Sequence, residues 1–358
     1  MLMLQNVIGP GLRAKLGNAV LAARLFQRQS PSSALYFVDS LANLIGSRFE
    51  YRDRPIRRIT GSLFVCGDAA VVIRYIGQRE LAILERRKFG RVYLLVDDDF
   101  FALNDNDGLP SDYRQKLLAY RDGIMRRLME FVTHVVAPSQ RILAGYGHKH
   151  TLYLDPAQCH ATGSLAHHQG RRGLDVVFAA TRSHLFDLHF FADAIAEFLL
   201  ARPDARLTTF LNGHAPKVLK GLHNAIHLPT MGWNRYQAFV AENHFHVAIA
   251  PALATDFNRA RSLSRLHDHA AYGAAGIYSR QAPFSGIIAD GNSGLLLRNE
   301  PACWRDALFG LAKQPDRAEK LATEGQALSR RLGDRQRVRS FWMQELGMGR
   351  PDRPDAVQ

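Results

Sequence analysis

The chain has 358 residues, 47% of them hydrophobic and 22% charged, a composition that excludes a disordered or collagen-like protein and predicts two globular domains of similar size. Its three cysteines lie far apart in the sequence, so we expect no disulfides. The sequence shows no cationic and apolar leader and no apolar run that approaches about twenty residues, so we expect a cytoplasmic protein without membrane spans. The formal net charge of +13 leaves open an anionic partner or a basic surface that maintains solubility.

The first half alternates short apolar runs, which we predict as strands, with polar runs of helical spacing. The predicted strands are residues 34–38, 62–66, 71–75, 92–96, 133–137 and 152–154, and the predicted helices are residues 12–29, 78–88 and 111–131. Uninterrupted apolar strands that alternate with helices predict a parallel sheet covered on both faces.

Residues 156–173 interrupt this alternation with small, polar and glycine-containing sequence, which is typical of a linker. His167 and His168 lie within it, and a pair of histidines can suggest a metal site. Because no other ligand follows at a useful spacing, we predict a solvated linker and no metal.

The alternation restarts in the second half, with the same architecture as the first. The predicted strands are residues 174–179, 207–211 and 247–250, and the predicted helices are residues 185–201, 302–312, 317–332 and 336–346. We therefore predict an α/β fold with two doubly wound domains, residues 1–155 and residues 174–332, which face each other across a cleft. Ligands of such sheets bind beyond the carboxyl ends of the strands.

The positive charge is concentrated in the first 150 residues, in two clusters. They contain Arg48, Arg52, Arg54, Arg57 and Arg58, and Arg86, Arg87, Lys88 and Arg91. Such clusters attract nucleic acid, an anionic membrane face or a phosphate-bearing substrate. Aromatic residues that stack on bases are sparse among them, so we expect no nucleic-acid partner, whereas peripheral contact with the inner face of the membrane stays open.

Several segments resemble one known family. They are ATRSH (residues 180–184), AAYGAAGIYS (270–279) and IADGNSGLLL (288–297) in the second half, and LVDDDF (95–100) and VAPS (136–139) in the first. Together they are similar to glycosyltransferases of family four, whose GT-B fold consists of two Rossmann-like domains. The similarity spans most of the chain, and residues 288–297 are its most specific part.

The resemblance implies a retaining transfer of a sugar from a nucleotide-sugar to an acceptor hydroxyl, with neither a cofactor nor a metal. The nucleotide-sugar would bind residues 174–332, and a glycan or lipid-linked acceptor would bind residues 1–155. A helix within residues 333–347 would cross back to the first domain, and residues 348–358 would form a tail. Cell-surface polysaccharide synthesis is the process that the resemblance suggests.

Arg261 and Arg265 are four residues apart, a spacing that places both side chains on one face of a helix. Two guanidinium groups at a helix start can hold a diphosphate, and the Ser262 hydroxyl can add a donor. We predict this role for them, with Asn258 close by. A surface ion pair, worth about 0–1 kcal/mol, is the alternative.

In the family, the corresponding helix carries two glutamates eight residues apart, one near the sugar and one on the ribose. Asp268 stands in the place of the second, and its carboxylate can accept hydrogen bonds from a ribose diol. Ala260 stands in the place of the first, so the acid that faces the sugar is absent. The alternative for Asp268 is a helix-surface acid paired with Arg265 or Arg261.

The resemblance also places two turns at the nucleotide-sugar. Thr181, Arg182 and Ser183 follow the first strand of the second domain, and Asn292 lies in the glycine turn at residues 291–294. His184 is a candidate catalytic residue. Its alternative role is a helix-start residue packed against Asp187.

Three consecutive carboxylates, Asp97, Asp98 and Asp99, follow the strand at residues 92–96. We predict that Asp97 and Asp98 face the cleft, where a carboxylate can contact the acceptor or take the proton of its hydroxyl. A role in capping a loop with hydrogen bonds is the structural alternative. A metal-dependent transferase that binds its cation at these residues, and a catalytically silent GT-B-like scaffold, are the alternative functions.

Overall fold

A computed structural model of the protein describes residues 31–46, 54–104, 108–170 and 173–348. The helix predicted over residues 12–29, and Arg48 and Arg52 of the first basic cluster, lie outside these residues. Within them, each half of the chain contributes one β-sheet with helices packed against it.

The spatial order of the seven strands in the first sheet follows their order in the chain. The strands are β1 (Ile45–Gly46), β2 (Ile56–Arg58), β3 (Leu63–Cys66), β4 (Ala69–Ile73), β5 (Arg91–Leu95), β6 (His134–Ala137) and β7 (His150–Tyr153). β3 is antiparallel to both β2 and β4, and the other neighbouring pairs are parallel. The expectation of an all-parallel sheet is therefore wrong at β3, because only Gly67 (φ +55) and Asp68 connect it to β4, too few residues for a parallel crossover.

The helices of the first half are α1 (Pro31–Phe37), α2 (Gln78–Arg87), α3 (Ser111–Tyr120), α4 (Arg126–Leu128) and α5 (Gln140–Ala144). A π-helical turn, Arg121–Met125, joins α3 to α4, so the long helix predicted there is present with one wide turn inside it. The strand predicted at residues 34–38 is wrong, because that apolar run belongs to α1. Short apolar runs do not distinguish a strand from a buried helix.

Opposite faces of the first sheet pack against different parts of the chain. Ala70, Val72 and Leu94 pack with the helices that connect the strands, whereas Val71 and Leu95 point to the other face. When parallel strands follow chain order, right-handed crossovers leave their helices on one face of the sheet. The opposite face is covered by α1 and by the C-terminal helix, which contributes the buried residues Val338 and Trp342.

The second sheet has six parallel strands in the order β10-β9-β8-β11-β12-β13. The strands are β8 (Asp175–Phe178), β9 (Arg206–Thr209), β10 (Ala225–His227), β11 (Val247–Ala250), β12 (Ala275–Ser279) and β13 (Leu295–Leu297). The order reverses between β8 and β11, which creates a crevice at their carboxyl ends.

Eight helices surround the second sheet or follow it in the described part of the chain. They are α6 (Leu185–Ala201), α7 (Lys217–Lys220), α8 (Trp233–Glu242), α9 (Asp256–Arg259), α10 (Ser264–Ala271), α11 (Pro301–Lys313), α12 (Pro315–Leu332) and α13 (Arg335–Glu345). α13 is the C-terminal helix that covers the first sheet. Among these helices none is long and apolar enough to cross a membrane.

Two residues of the segment predicted as a solvated linker pack against the second half. His168 is buried and its Nε2 donates to the Gly273 carbonyl, while the amide of Gly163 donates to the Ala270 carbonyl. The prediction of solvent exposure is therefore wrong for these residues. Small residues are needed here because the backbone of residues 163 and 273 runs in close contact with neighbouring chain.

Candidate active site

A cleft of about 350 Å³ lies between the two sheets, and we call it the cleft throughout. Its second-half wall consists of the segments that follow β8 and β11, at the point where the strand order reverses. Its first-half wall includes Arg74 after β4, and Asp97 and Asp98 after β5. Both sheets therefore present the carboxyl ends of strands to the cleft, which is where α/β proteins bind their ligands.

The cleft is lined by three guanidinium groups and three carboxylates. They belong to Arg74, Arg261, Arg265, Asp97, Asp98 and Asp268. Each of these side chains lies close to one of opposite charge, so the arginines are already partly neutralised. An anionic ligand must share these guanidinium groups or displace a carboxylate from them.

Arg265 and Asp268 are three residues apart on α10 and form an ion pair at 3.0 Å. Nη1 of Arg265 also donates to the Ala179 carbonyl, at the end of β8, which fixes the guanidinium near the strand end. The other carboxylate oxygen of Asp268 accepts a hydrogen bond from the Tyr36 hydroxyl. Because Tyr36 belongs to α1 and Asp268 to the second half, this hydrogen bond joins the two sides of the cleft.

Arg261 does not share a helical face with Arg265, contrary to prediction, because α9 ends at Arg259 and α10 begins at Ser264. The intervening residues form a loop in which Arg261 and Ser262 nevertheless line the cleft. Nε of Arg261 donates to Oδ1 of Asn258 at 3.2 Å, and its guanidinium stacks over the Phe257 ring. Burial lowers the pKa of Arg261, but an arginine side chain stays charged at neutral pH.

Asn258 and His184 converge on the buried carboxylate of Asp187. Oδ1 of Asp187 accepts from Nδ2 of Asn258 at 2.8 Å, and Oδ2 lies 2.9 Å from Nδ1 of His184. The Leu253 amide also donates to Oδ1 at 2.8 Å. Asn258 lines the cleft but uses its amide to hold this network and Arg261 in place.

His184 lines the cleft as a neutral imidazole. Burial, followed by the charge of Arg261, lowers its pKa to about 3 although Asp187 acts in the opposite direction. Since an ionised carboxylate only accepts hydrogen bonds, the bond to Asp187 places the proton on Nδ1 and the lone pair on Nε2. His184 thus combines the predicted position in the cleft with the predicted packing against Asp187. It can accept a hydrogen bond from a ligand hydroxyl, but it supplies no positive charge.

The three consecutive aspartates after β5 have three different surroundings. Asp97 accepts from the Ser33 hydroxyl at 2.7 Å, and Asp98 is bound by the Arg74 guanidinium. Asp99 lies outside the cleft lining and accepts from the amides of Phe101 and Ala102, at 3.0 and 3.2 Å. Asp97 and Asp98 thus both face the Arg74 guanidinium, whereas Asp99 faces backbone amides. No group of three His, Cys, Asp or Glu side chains suited to a metal occurs among the described residues.

Two predicted donor-binding residues lie away from the cleft. Arg182 forms a bidentate ion pair with Asp112 at the start of α3, with Nη–Oδ distances of 2.8 and 2.9 Å. Asn292 is exposed in a turn whose residues are not among those that line the cleft. Both residues were predicted from the resembling motifs, but neither lines the cleft. Thr181 and Ser183 do line the cleft.

Ala260, the position of the absent glutamate, is buried outside the cleft lining. It packs with Phe257 into the hydrophobic core of the first half, next to residues such as Leu103 and Leu109. The break between α9 and α10 explains this direction, because the positions eight residues apart do not belong to one helix. An acid at position 260 would lie in a core and would not face a sugar.

Cleft residues from both halves are not among those predicted from the sequence. Tyr36 falls in the run predicted as a strand, and Arg74 directly follows β4, at the strand end where ligands are expected. Trp233 and Tyr236 lie at the start of α8, with ring centroids 5.6 Å apart. With Phe210 they form an aromatic wall that can pack against a flat ring of a ligand.

The fold matches solved structures although no family model and no curated protein matches the sequence. HepE of Anabaena, solved with UDP and glucose, is 12% identical with a TM-score of 0.52, and the match covers 77% of each chain. Sucrose-phosphate synthase of Thermosynechococcus elongatus is 11% identical with a TM-score of 0.54, over 78% of this chain and 72% of that one.

TarM of S. aureus, solved with UDP, is 9% identical with a TM-score of 0.55, over 77% of this chain and 55% of TarM. The protein thus spans only about half the length of TarM. At these identities the likeness concerns the fold. It confirms the predicted GT-B fold, in which two α/β halves face each other across a cleft.

Proposed function

We propose that the protein is a glycosyltransferase that moves a sugar from a nucleotide-sugar to an acceptor hydroxyl. The observation that carries this proposal is the convergence of Arg261, Arg265 and Asp268 at the ends of β8 and β11, inside a cleft of GT-B architecture. Guanidinium groups suit a diphosphate, and a carboxylate suits a ribose diol. The solved structures of HepE and TarM contain UDP, so UDP-sugars are the first donors to test.

Each group of cleft residues would have its own role in this reaction. Negative charge develops on the leaving phosphate as the glycosidic bond breaks, and Arg261 and Arg265 would stabilise it. His184 would accept a hydrogen bond from a sugar hydroxyl through Nε2. Asp97 and Asp98 lie on the first-half wall, where the acceptor would bind. The contacts between the walls, such as Tyr36 to Asp268, would help to exclude water as a competing acceptor.

Retention of the anomeric configuration and independence of metal are parts of the proposal. The surroundings of the aspartates support the second, because Asp97 and Asp98 face the Arg74 guanidinium and Asp99 faces backbone amides. A divalent cation prefers oxygen ligands that are free of positive neighbours. Product analysis by NMR would give the configuration, and turnover in EDTA would test the metal.

The acceptor that we propose is a glycan or a lipid-linked sugar of cell-surface polysaccharide synthesis. The exposed basic end of α2, with Arg86, Arg87 and Lys88, supports contact with an anionic inner membrane face. Cosedimentation with vesicles that contain phosphatidylglycerol should decrease as salt increases. Absence of binding at low salt would contradict the membrane part of the proposal alone.

A thermal-shift panel of UDP-, GDP-, dTDP- and CMP-sugars, with and without EDTA, tests the donor. A ligand at one hundred times its Kd should stabilise the protein by about 2.7 kcal/mol. Arg265→Ala and Asp268→Ala should abolish the shift. Arg259→Ala is the matched control, because Arg259 also pairs with an acid three residues away but lies outside the cleft lining.

The outcomes separate the candidate functions. A shift that depends on Arg265 and Asp268, followed by sugar transfer or donor hydrolysis, supports the transferase. A shift without any turnover would indicate the silent scaffold, and a shift lost in EDTA would indicate the metal-dependent enzyme. Binding that is equal in Asp268→Ala and Arg259→Ala would show that the donor site is misplaced.

A further inference from the structure

Arg74 has an unusual backbone conformation at the edge of the cleft. It directly follows β4, and its φ of +54 lies in the left-handed region, which costs free energy for any residue except glycine. Its amide donates to the Leu95 carbonyl and its carbonyl accepts from the Tyr120 hydroxyl, so the conformation is held on both sides. Strain of this kind is concentrated at functional sites, because it directs a side chain to a particular place.

The strained backbone directs the Arg74 guanidinium to the buried carboxylate of Asp98. On the other side of that carboxylate, Oδ1 lies 3.8 Å from Nη1 of Arg261 in the opposite wall. Asp98 is only 5% exposed. One carboxylate thus lies between two guanidinium groups, one from each half of the protein.

The Arg74 guanidinium retains hydrogen-bonding capacity in this arrangement. Its Nε is 3.3 Å from Oδ1 of Asp97, yet the two atoms are too poorly aligned for a hydrogen bond. Both atoms are buried, and neither has a hydrogen-bond partner among the described residues. Buried polar atoms without hydrogen-bond partners are rare in proteins, and strain, a water or a ligand accounts for them.

We propose that Arg74 and Arg261 form a two-arginine site for a doubly charged phosphate or diphosphate group, and that Asp98 occupies this site when no ligand is bound. This inference rests on the proposed function and adds to it a binding residue from the first half. The phosphate belongs either to the diphosphate of the donor or to a phosphorylated acceptor. Planar guanidinium groups that approach from two sides match the oxygens of a phosphate.

The charges around the site explain why the Asp98 carboxylate must leave its position between the two guanidinium groups when an anion binds. Arg74 and Arg261 carry two positive charges, and Asp97 and Asp98 already balance them. A dianion that entered beside both carboxylates would add two negative charges to a neutral cluster in a poorly hydrated place, which is unfavourable. Binding therefore requires that the Asp98 carboxylate turn away from both guanidinium groups. Removal of its charge should make phosphate binding tighter.

Calorimetric titration of the full-length protein with inorganic pyrophosphate tests the site without any requirement for the correct nucleobase. Arg74→Gln should weaken pyrophosphate binding by about tenfold or more, the usual effect of losing a charged hydrogen bond. Asp98→Asn should strengthen it by roughly fivefold, since the competing charge is absent. Arg79→Gln is the control, because Arg79 is an exposed arginine on α2 and changes the net charge equally.

Parallel titrations with UDP, GDP and glucose 6-phosphate identify the source of the phosphate. Loss of UDP or GDP affinity in Arg74→Gln assigns the site to the donor, and loss confined to glucose 6-phosphate assigns it to the acceptor. Unchanged pyrophosphate affinity in Arg74→Gln, or weaker affinity in Asp98→Asn, overturns the proposal. If Arg74→Gln does not fold, the pyrophosphate affinity of Asp98→Asn still tests the proposal, because a higher affinity supports it and a lower affinity overturns it.

The two proposals can fail separately. If nucleotide-sugars bind through Arg265 and Asp268 while pyrophosphate binding ignores Arg74, only the two-arginine site is wrong. If pyrophosphate binding follows the expected pattern but no nucleotide-sugar binds or reacts, the anion site exists and the transferase proposal is wrong.

Discussion

The guanidinium of Arg182 donates two parallel hydrogen bonds to the carboxylate of Asp112, at 2.8 and 2.9 Å. Arg182 follows β8 and Asp112 lies in the first turn of α3, so the pair connects the two halves of the protein outside the cleft lining. Burial alone would raise the pKa of Asp112, but the hydrogen bond and charge of Arg182 lower it. The residue that sequence motifs suggested for donor binding is thus committed to a contact between the halves.

Arg182→Gln should leave the affinity for a nucleotide-sugar within about twofold of the wild type, because the side chain does not line the cleft. The free energy of unfolding should decrease by about 0–1 kcal/mol, since both partners are nearly half exposed. Asp112→Asn should give the same result, and a double-mutant cycle in urea would measure the coupling. A tenfold loss of affinity, about 1.4 kcal/mol, would instead place Arg182 at the donor.

Ala260→Glu should destabilise the protein and should not restore a sugar-facing acid. The new carboxylate would be buried in the core of the first half without a partner, which costs about 3 kcal/mol or more. Urea denaturation would measure the loss. Ala254→Glu adds the same side chain at an exposed position six residues earlier and should be nearly neutral. An Ala260→Glu protein of normal stability with tighter donor binding would contradict the buried position.

Stability should decrease as the pH falls below about 6.5, because three buried histidines are neutral in the folded protein. Burial lowers the pKa of His184 and His269 to about 3 and that of His267 to about 4, from an ordinary value of 6.5. Between these values the unfolded chain binds protons that the folded protein does not. The free energy of unfolding therefore increases with pH in this window. The contribution of the three histidines reaches its full value above about pH 6.5.

His269→Phe should remove one of these contributions. The His269 ring stacks on Tyr278 with centroids 5.0 Å apart, and its two nitrogens have no hydrogen-bond partner among the described residues, so a phenyl ring suits the site. The dependence of stability on pH should decrease by about 1.4 kcal/mol per pH unit between pH 4 and 6. Urea denaturation across that range gives the slope. The control variant His148→Gln, at an exposed position, should retain the wild-type slope. An unchanged slope in His269→Phe would contradict the prediction.

Trp342→Ala should cost about 3–5 kcal/mol of stability, the usual loss for a buried tryptophan. Trp342 is fully buried on α13, lies against Tyr93 of the first sheet, and donates from Nε1 to the Phe37 carbonyl at 2.6 Å. The exposed Gln344→Ala on the same helix is the control and should change stability by less than about 0.5 kcal/mol. Equal effects in both variants would show that α13 contributes little to the first half.

The regular elements were largely predictable, because apolar periodicity reports burial within one segment. The predicted helices at residues 78–88 and 185–201 and the predicted strand at residues 247–250 agree closely with α2, α6 and β11. The helix at residues 34–38 was not predictable, because a run of five apolar residues suits a buried helix as well as a strand. β10 and α8 were not predicted, because Val240 is the one fully buried residue in the two elements and so little apolar pattern results.

The sequence by itself determined the two α/β halves and located several cleft residues, because strand ends in such folds carry the ligand-binding side chains. Asp98 was predicted in this way, whereas Arg261, Arg265 and Asp268 were predicted from the family resemblance and from their spacing. Only the tertiary structure decided which charges meet. Arg74 and Arg261 are distant in the chain, and Asp98 lies between them because both sheets direct their strand ends to one cleft. The direction of Arg182, Asn292 and Ala260 away from the cleft has the same origin, since loop conformation and packing between the halves leave no periodic signal in sequence.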